Sequence, residues 1–124
     1  MKFVKPETVR IDLEDGEWIE IKKQLSHGEL AHLAGSGLTH LTGSAEFVYD
    51  MERFEVTKIE SWLVDWSARD ESGKYVKPTR AAISALEPDD AQRIKQAIDD
   101  HVTKLQEEKK LKTGKPEPGA TLPS

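Results

Sequence analysis

The four histidines are the residues best suited to do chemistry here, as metal ligands or as general bases. They stand at positions 27, 32, 40 and 101, and no two of them are four residues apart. His27 and His32 are separated by five, which would place them on different faces of a helix. The chain has no cysteine, and this excludes a thiolate metal site, a disulfide framework and a cysteine nucleophile. The pattern favours surface or capping histidines, and a metal site would need ligands brought together from distant positions.

Motifs for other reaction types are missing as well. The sequence contains no Gly-x-Ser-x-Gly, no phosphate-binding loop and no dinucleotide fingerprint. The cluster Gly35-Ser36-Gly37 follows no predicted strand, so it indicates flexibility rather than a phosphate cradle. Carboxylate pairs such as Asp65 with Asp70, or Asp99 with Asp100, are typical of a solvated helix surface. We therefore predict a protein that is not an enzyme and that uses no cofactor.

Size and composition point to one small domain. The chain has 124 residues, of which 36% are hydrophobic and 33% charged, so the core is modest and the surface large. The first six residues carry no apolar run typical of a signal peptide, and no segment approaches the roughly 20 apolar residues of a membrane helix. These features predict a soluble, cytoplasmic protein that does not bind a membrane.

The net charge of −5 is unevenly distributed. Residues 45–72 carry eight acids against three bases, whereas residues 103–115 carry five lysines against two glutamates. The acidic segment would repel a nucleic-acid backbone, and the basic one is too short to read a groove. We therefore predict no nucleic-acid partner.

A β-hairpin is predicted over about residues 8–23. Apolar residues there alternate with polar ones, as in strands buried on one face, and they are Val9, Ile11, Leu13, Ile19 and Ile21. A three-residue loop, Glu14-Asp15-Gly16, sets Ile11 opposite Ile19 and Val9 opposite Ile21, with Gly16 in the left-handed conformation. It also sets Arg10 opposite Glu20 on the polar face. A two-residue Asp15-Gly16 turn would mix the faces, so the longer loop is favoured.

Helices are predicted over the first half of the remaining chain. Ser26 and Glu29 form the pattern of a capping box for a short helix that ends near Gly35. The glycine-rich segment 35–44 then predicts either a flexible connection or a loop folded over the core. Apolar residues at intervals of three and four predict a longer helix from Ala45 to about Trp66, with a kink or break near residues 55–58.

The C-terminal half adds two more helices and a tail. Thr79 is suited to cap a short helix over residues 80–86, and a last helix begins near Pro88. Its apolar stripe comprises Ala91, Ile94, Ile98, Val102 and Leu105. The sequence thus predicts an α+β fold, with one domain over residues 1–111 made of the hairpin and three to four helices. Residues 112–124 are predicted to be a disordered tail rich in proline and glycine.

An aromatic and aliphatic face is the feature most suggestive of a partner. Within the predicted long helix it comprises Phe54, Ile59, Trp62, Leu63 and Trp66. Packing of this face against the hairpin is one interpretation. Docking of a partner helix is the other, because tryptophan is enriched at binding hot spots and acidic residues surround the patch. The sequence leaves both open.

Several segments resemble the tail assembly chaperones of long-tailed, siphovirus-like bacteriophages and prophages. The likeness covers roughly residues 8 to 105, and its motifs are loose patterns rather than catalytic signatures. It rests on Leu63-Val64-Asp65-Trp66-Ser67, on the turn Asp70-Glu71-Ser72-Gly73-Lys74, on the Pro78-Thr79 helix start, on the final helix and on the run from Asp15-Gly16-Glu17-Trp18 to Lys22-Lys23.

The resemblance implies a specific role. Such chaperones coat the tape-measure protein in the cytoplasm of the bacterial host, keep it soluble, recruit tail-tube subunits and are absent from the mature virion. A programmed frameshift often gives a longer form, and Thr113-Gly114-Lys115 is compatible with slippery codons. The alternative function is a structural head–tail joining or tail-completion protein that stays in the virion. Whether the chain forms a homo-oligomer is left open.

Overall fold

The computed structural model describes residues 1–40 and 47–113 and confirms the α+β fold class. Its helices and strands follow the order β1 Thr8–Asp12, β2 Trp18–Lys22, α1 His27–Gly35, β3 Leu38–His40, β4 Phe47–Tyr49, α2 Met51–Trp62, β5 Leu63–Trp66, α3 Arg80–Ser84 and α4 Pro88–Thr113. Strands β1, β2 and β5 form an antiparallel sheet in the order β1-β2-β5, and β3 pairs with β4 in a second sheet.

The predicted hairpin is confirmed in its loop and in its register. Ile11 lies opposite Ile19, and Arg10 lies opposite Glu20. The loop is a short 3-10 turn over Glu14–Gly16, where Gly16 has φ +75° as predicted. Asp15 also lies in the left-handed region, at φ 60°, which the sequence did not predict. The apolar residues of β1 and β2 consequently share one face of the sheet.

The predicted long helix from Ala45 to Trp66 is wrong at both ends. Helix α2 begins after Asp50, whose side chain accepts a hydrogen bond of 3.0 Å from the backbone N–H of Arg53. It ends at Trp62, and the next four residues form β5, which pairs with β2. A two-stranded hairpin is marginal in water, and the third strand satisfies the second edge of β2.

The described part of the glycine-rich segment, residues 35–40, forms regular structure instead of the predicted connection or loop. Helix α1 extends to Gly35, and Leu38–His40 then forms strand β3, which pairs with Phe47–Tyr49. Part of the predicted connection therefore lies in a sheet. Residues 41–46 lie outside the described residues.

The predicted helix starts at Ser26 and Thr79 are confirmed. Ser26 forms the full capping box with Glu29, and the Thr79 side chain accepts a hydrogen bond from the backbone N–H of Ala82. Helix α4 begins at Pro88 as expected and extends to Thr113, two residues into the segment predicted as a tail. Residues 114–124 lie outside the described part of the chain.

The hydrophobic core lies between the sheet and the helices α1, α2, α3 and α4. Its buried members are Ile19, Ile21, Leu25, Leu33, Ile59, Trp62, Leu63, Trp66, Ile83, Ile94 and Ile98. Strand β1 takes a smaller part, because Val9, Ile11 and Leu13 are only half-buried at the margin of this core. The sheet thus has a well-covered centre and a more open edge.

Candidate functional site: a groove between strand β1 and helix α4

Four of the five residues predicted to bind a partner lie in the core. The exposed fractions are 2% for Ile59, 4% for Trp62, 8% for Leu63 and 2% for Trp66. Phe54 is half-buried and packs against the same cluster. The structure thus brings these residues together as core packing, which was one of the two interpretations of the face. Docking through them stays a prediction, with little surface to support it.

The prediction that Trp62 and Trp66 lie on the same helix is wrong. Trp62 ends α2, whereas Trp66 ends β5. Val64 is the extra residue of a β-bulge, since Ile21 pairs with Leu63 and Glu20 with Asp65. The bulge shifts the alternation by one residue, so Leu63 and Trp66 both face the core although they are three apart.

Helix α4 contacts the hairpin both at its loop and at its open end. Near the hairpin loop, the guanidinium of Arg93 donates a hydrogen bond of 3.4 Å to the carbonyl oxygen of Glu14. At the open end, Nε2 of His101 lies 2.8 Å from the carbonyl oxygen of Lys23. Two contacts far apart along the helix set its direction relative to β1.

A groove of about 740 Å³ opens between α4 and β1. Its apolar floor comprises Val9, Ile11, Leu13, Ala97 and Leu105, all of them half-buried. Its charged rim has three bases and three acids, namely Lys23, Arg93, Lys104, Glu14, Asp100 and Glu108. The groove therefore joins an apolar floor to a rim with no excess of either charge, which suits a peptide segment better than a small ion.

One side of the groove is β1, an edge strand of the three-stranded sheet. The N–H of Leu13 donates to the carbonyl oxygen of Glu17 at 2.7 Å, and the N–H of Lys23 donates to Glu7 at 2.9 Å. Hydrogen-bonded pairs alternate in an antiparallel ladder, so the odd-numbered residues of β1 direct their N–H and C=O groups toward β2. The backbone N–H and C=O groups of the even-numbered residues point away from β2, and these residues are Thr8, Arg10 and Asp12.

The side chains along this edge contact one another on the outer face. The guanidinium carbon of Arg10 lies 4.5 Å from the centre of the Trp18 ring, and its Nε donates to Asp12 at 3.2 Å. Glu20 instead accepts a hydrogen bond of 2.6 Å from the hydroxyl of Thr8. The predicted cross-strand position of Arg10 and Glu20 is confirmed, but each forms its hydrogen bond with another residue.

A polar cluster joins the hairpin loop to β5. The Ser67 hydroxyl accepts a hydrogen bond of 2.9 Å from the N–H of Trp18 and donates to the carboxylate of Glu17. The phenol of Tyr75 donates to Asp65, and this hydrogen bond raises the pKa of Tyr75. Both hydroxyls thus donate to carboxylates at an exposed surface.

Within residues 1–40 and 47–113, no three His, Asp or Glu side chains are arranged to hold a metal ion. Among the helices of these residues, none is both long and apolar enough to cross a membrane. Comparisons with protein-family models, with curated proteins and with solved structures found no match.

The sequence did not predict the groove, although it predicted both of its walls. The alternation of Val9, Ile11 and Leu13 and the stripe of α4 that includes Leu105 were recognised as apolar faces. The two faces together hold more apolar surface than the core buries, because the buried centre of the sheet consists of residues from β2 and β5 rather than from β1. This surplus of apolar surface is the signal of the groove in the sequence.

Proposed function

We propose that this chain is a tail assembly chaperone of a long-tailed bacteriophage or prophage, and that its groove binds helical segments of the tape-measure protein. The observation that carries the proposal is the apolar floor between β1 and α4, open to solvent along a charged rim. The resemblance in sequence supplies the identity of the client, and the groove supplies a way to hold it.

The groove suits one face of an amphipathic helix. Helix-in-groove recognition uses apolar anchors at intervals of three and four residues, which fill an apolar cleft. A volume of about 740 Å³ accommodates a short row of such side chains. Because the rim carries bases and acids in equal number, it accepts varied flanking charges. That tolerance is useful to a chaperone whose client presents many similar but unequal segments.

Binding of this kind would protect the client from aggregation. A long chain with exposed apolar helical faces aggregates unless those faces are covered. Each bound copy of the chaperone covers one segment and adds a net charge of −5, which keeps the complex soluble. Many weak contacts along one client then add up through multivalency and release in steps as the tube encloses it.

Recruitment of tail-tube subunits by a frameshifted longer form is a further part of the proposal. Thr113 is the last residue of α4, and Gly114 and Lys115 lie outside the described residues. An extension at this point would continue from the end of a helix and leave the core unchanged. Sequencing of the gene tests it: codons that cannot slip there, or a second frame that stops at once, would exclude an extension at this site.

The decisive experiment is co-expression with the tape-measure protein of the same phage in the bacterial cytoplasm. We expect the client to be soluble and to co-purify with the wild-type chain. Leu105→Glu, which places a charge on the groove floor, should abolish co-purification. Leu30→Glu on α1 is the matched control, because Leu30 is 51% exposed and lies outside the groove. Circular dichroism of both variants verifies folding.

The alternative is a structural head–tail joining or tail-completion protein, which would stay in the particle. Mass spectrometry of purified virions separates the two functions. A chaperone should be absent from mature particles, whereas a structural component should be present in a fixed copy number. A client that stays insoluble, together with this chain in the virion, would overturn the chaperone proposal.

A further inference from the structure

We propose that two copies of this chain pair edge to edge through β1, antiparallel, with Ile11 of one copy opposite Ile11 of the other. The pairing would join two three-stranded sheets into one of six strands. It uses the outward N–H and C=O groups of β1, which no turn or loop backbone hydrogen bond reaches within the described residues. Exposed edges of this kind are templates for pairing with another strand.

Charge complementarity selects the register. Only even-numbered residues of β1 direct backbone groups outward, so a hydrogen-bonded pairing must set even opposite even. A pairing centred on Ile11 sets Arg10 of each copy opposite Asp12 of the other. A pairing centred on Arg10 would instead set two guanidinium groups opposite each other, which is unfavourable. The first register therefore forms two opposite-charge pairs per dimer.

The apolar side of the strand is complementary in the same register. Val9 of each copy lies opposite Leu13 of the other, and the two Ile11 side chains meet at the centre. These residues are half-buried in the single chain, so pairing covers apolar surface that the chain itself leaves open. The interface is also closed, because the same strand is used by both copies and no free β1 edge remains.

The geometry also joins the two grooves. The two-fold axis between antiparallel strands runs perpendicular to the sheet, so both copies of α4 lie on the same face. Each groove opens on the β1 side of its own α4, and the two therefore merge into one trough. Its floor is formed by β1 of both copies and its walls by the two α4 helices. This use of the dimer rests on the proposed function, since the trough would hold one client helix between two chaperone copies.

Analytical ultracentrifugation of the full chain alone, over a wide range of concentration, tests the pairing. We expect a reversible monomer–dimer equilibrium. Arg10→Asp and Asp12→Arg each create like-charge pairs across the interface and should each weaken the dimer by about tenfold or more. Arg53→Asp is the control for net charge, because Arg53 is exposed on α2, away from β1. It should leave the equilibrium close to that of the wild type.

Mixing the two single variants gives the sharpest result. In a mixed dimer, two acids of one copy face two bases of the other, so Arg10→Asp plus Asp12→Arg should associate more tightly than either variant alone. Mixing cannot repair damage within a single chain, such as loss of the Arg10–Asp12 contact or of the Arg10 stacking on Trp18. Stronger association in the mixture therefore shows that the charged residues of β1 face each other across the interface. The register itself is tested by Asp12→Arg alone, because a pairing centred on Arg10 would set residue 12 opposite Thr8 and create no like-charge pair there.

A wild-type chain that stays monomeric, or variants whose mixture associates no better than each alone, would overturn the edge pairing. The chaperone function is judged separately by capture of the tape-measure protein. A monomeric chain that still holds the client would refute the dimer and leave the proposed function standing. A dimer that captures no client would support the edge pairing and refute the proposed function.

Discussion

The indole Nε1 of Trp66 donates a hydrogen bond of 2.6 Å to the backbone carbonyl oxygen of Val76. The ring is 2% exposed, so its one polar atom is satisfied inside the core. The bond also ties β5 to the segment that leads into α3. One of the two tryptophans that the sequence predicted to bind a partner thus has a structural role in the single chain.

Replacing Trp66 by phenylalanine should destabilise the protein even though most of the apolar ring area is kept. The Val76 carbonyl would lose its partner at a cost of about 1–3 kcal/mol, and a cavity would remain beside the smaller ring. Urea unfolding monitored by far-UV circular dichroism measures the difference. The control Tyr75→Phe removes an exposed hydroxyl and should cost much less. Equal stabilities for Trp66→Phe and wild type would contradict the role assigned to this bond.

Helix α4 should tolerate truncation of an apolar side chain near its end but not at its centre. Ile98 is 0% exposed, and Ile98→Ala should cost about 2–5 kcal/mol through lost burial and a residual cavity. Leu111, on the same helix, is 84% exposed, so Leu111→Ala should lie within about 0.5 kcal/mol of wild type. Thermal unfolding of the pair tests this. A large loss for Leu111→Ala would mean that it packs against a surface in solution.

The hairpin was predictable because its information is local. The register must keep the apolar residues of both strands on one face, and a three-residue loop provides that register. These residues are Val9, Ile11, Ile19 and Ile21. Capping at Ser26 and Thr79 was predictable for the same reason, since each cap bonds a backbone N–H three residues away.

Strand β5 could not be predicted from the local pattern. Leu63 and Trp66 are spaced as on a helix, yet the bulge at Val64 gives them that spacing within a strand. What decides the outcome is the unpaired edge of β2, which lies more than 40 residues earlier in the chain. The groove was hidden for a similar reason, because the contacts of Arg93 with Glu14 and of His101 with Lys23 follow no periodicity.

The capping box at the start of α1 should account for a measurable part of the stability. Ser26→Ala removes the acceptor for the N–H of Glu29 and should cost about 0.5–2 kcal/mol, whereas Ser26→Gly should cost only a few tenths. Ser36→Ala, at the other end of α1, is a useful comparison, because the Ser36 hydroxyl donates to the carbonyl oxygen of Leu33 and caps no N–H. Chemical unfolding of the three variants gives the ranking. Ser26→Gly as damaging as Ser26→Ala would show that the box contributes through something other than the cap.

The pH dependence of stability should contain a contribution from Glu29. Hydrogen bonds from the Lys22 ammonium and from the backbone N–H of Ser26 lower the pKa of its carboxyl from 4.5 to about 2. A pKa that is lower in the folded state means that the unfolded chain takes up the proton first. The stabilisation is therefore fully present above pH 4.5 and is lost as the pH falls from there toward about 2.

The variant Glu29→Gln isolates this contribution, because the amide keeps the shape of the side chain but does not titrate. Its free energy of unfolding should lie below that of wild type at neutral pH, and the gap should narrow as the pH is lowered through the window from 4.5 to about 2. Denaturant unfolding at a series of pH values measures the gap. The carboxyl of Glu29 is partly exposed, so moderate salt should also reduce the gap by screening the ion pair with Lys22. A gap that stays constant across the whole range would show that Glu29 acts only through the shape of its hydrogen bond to Ser26.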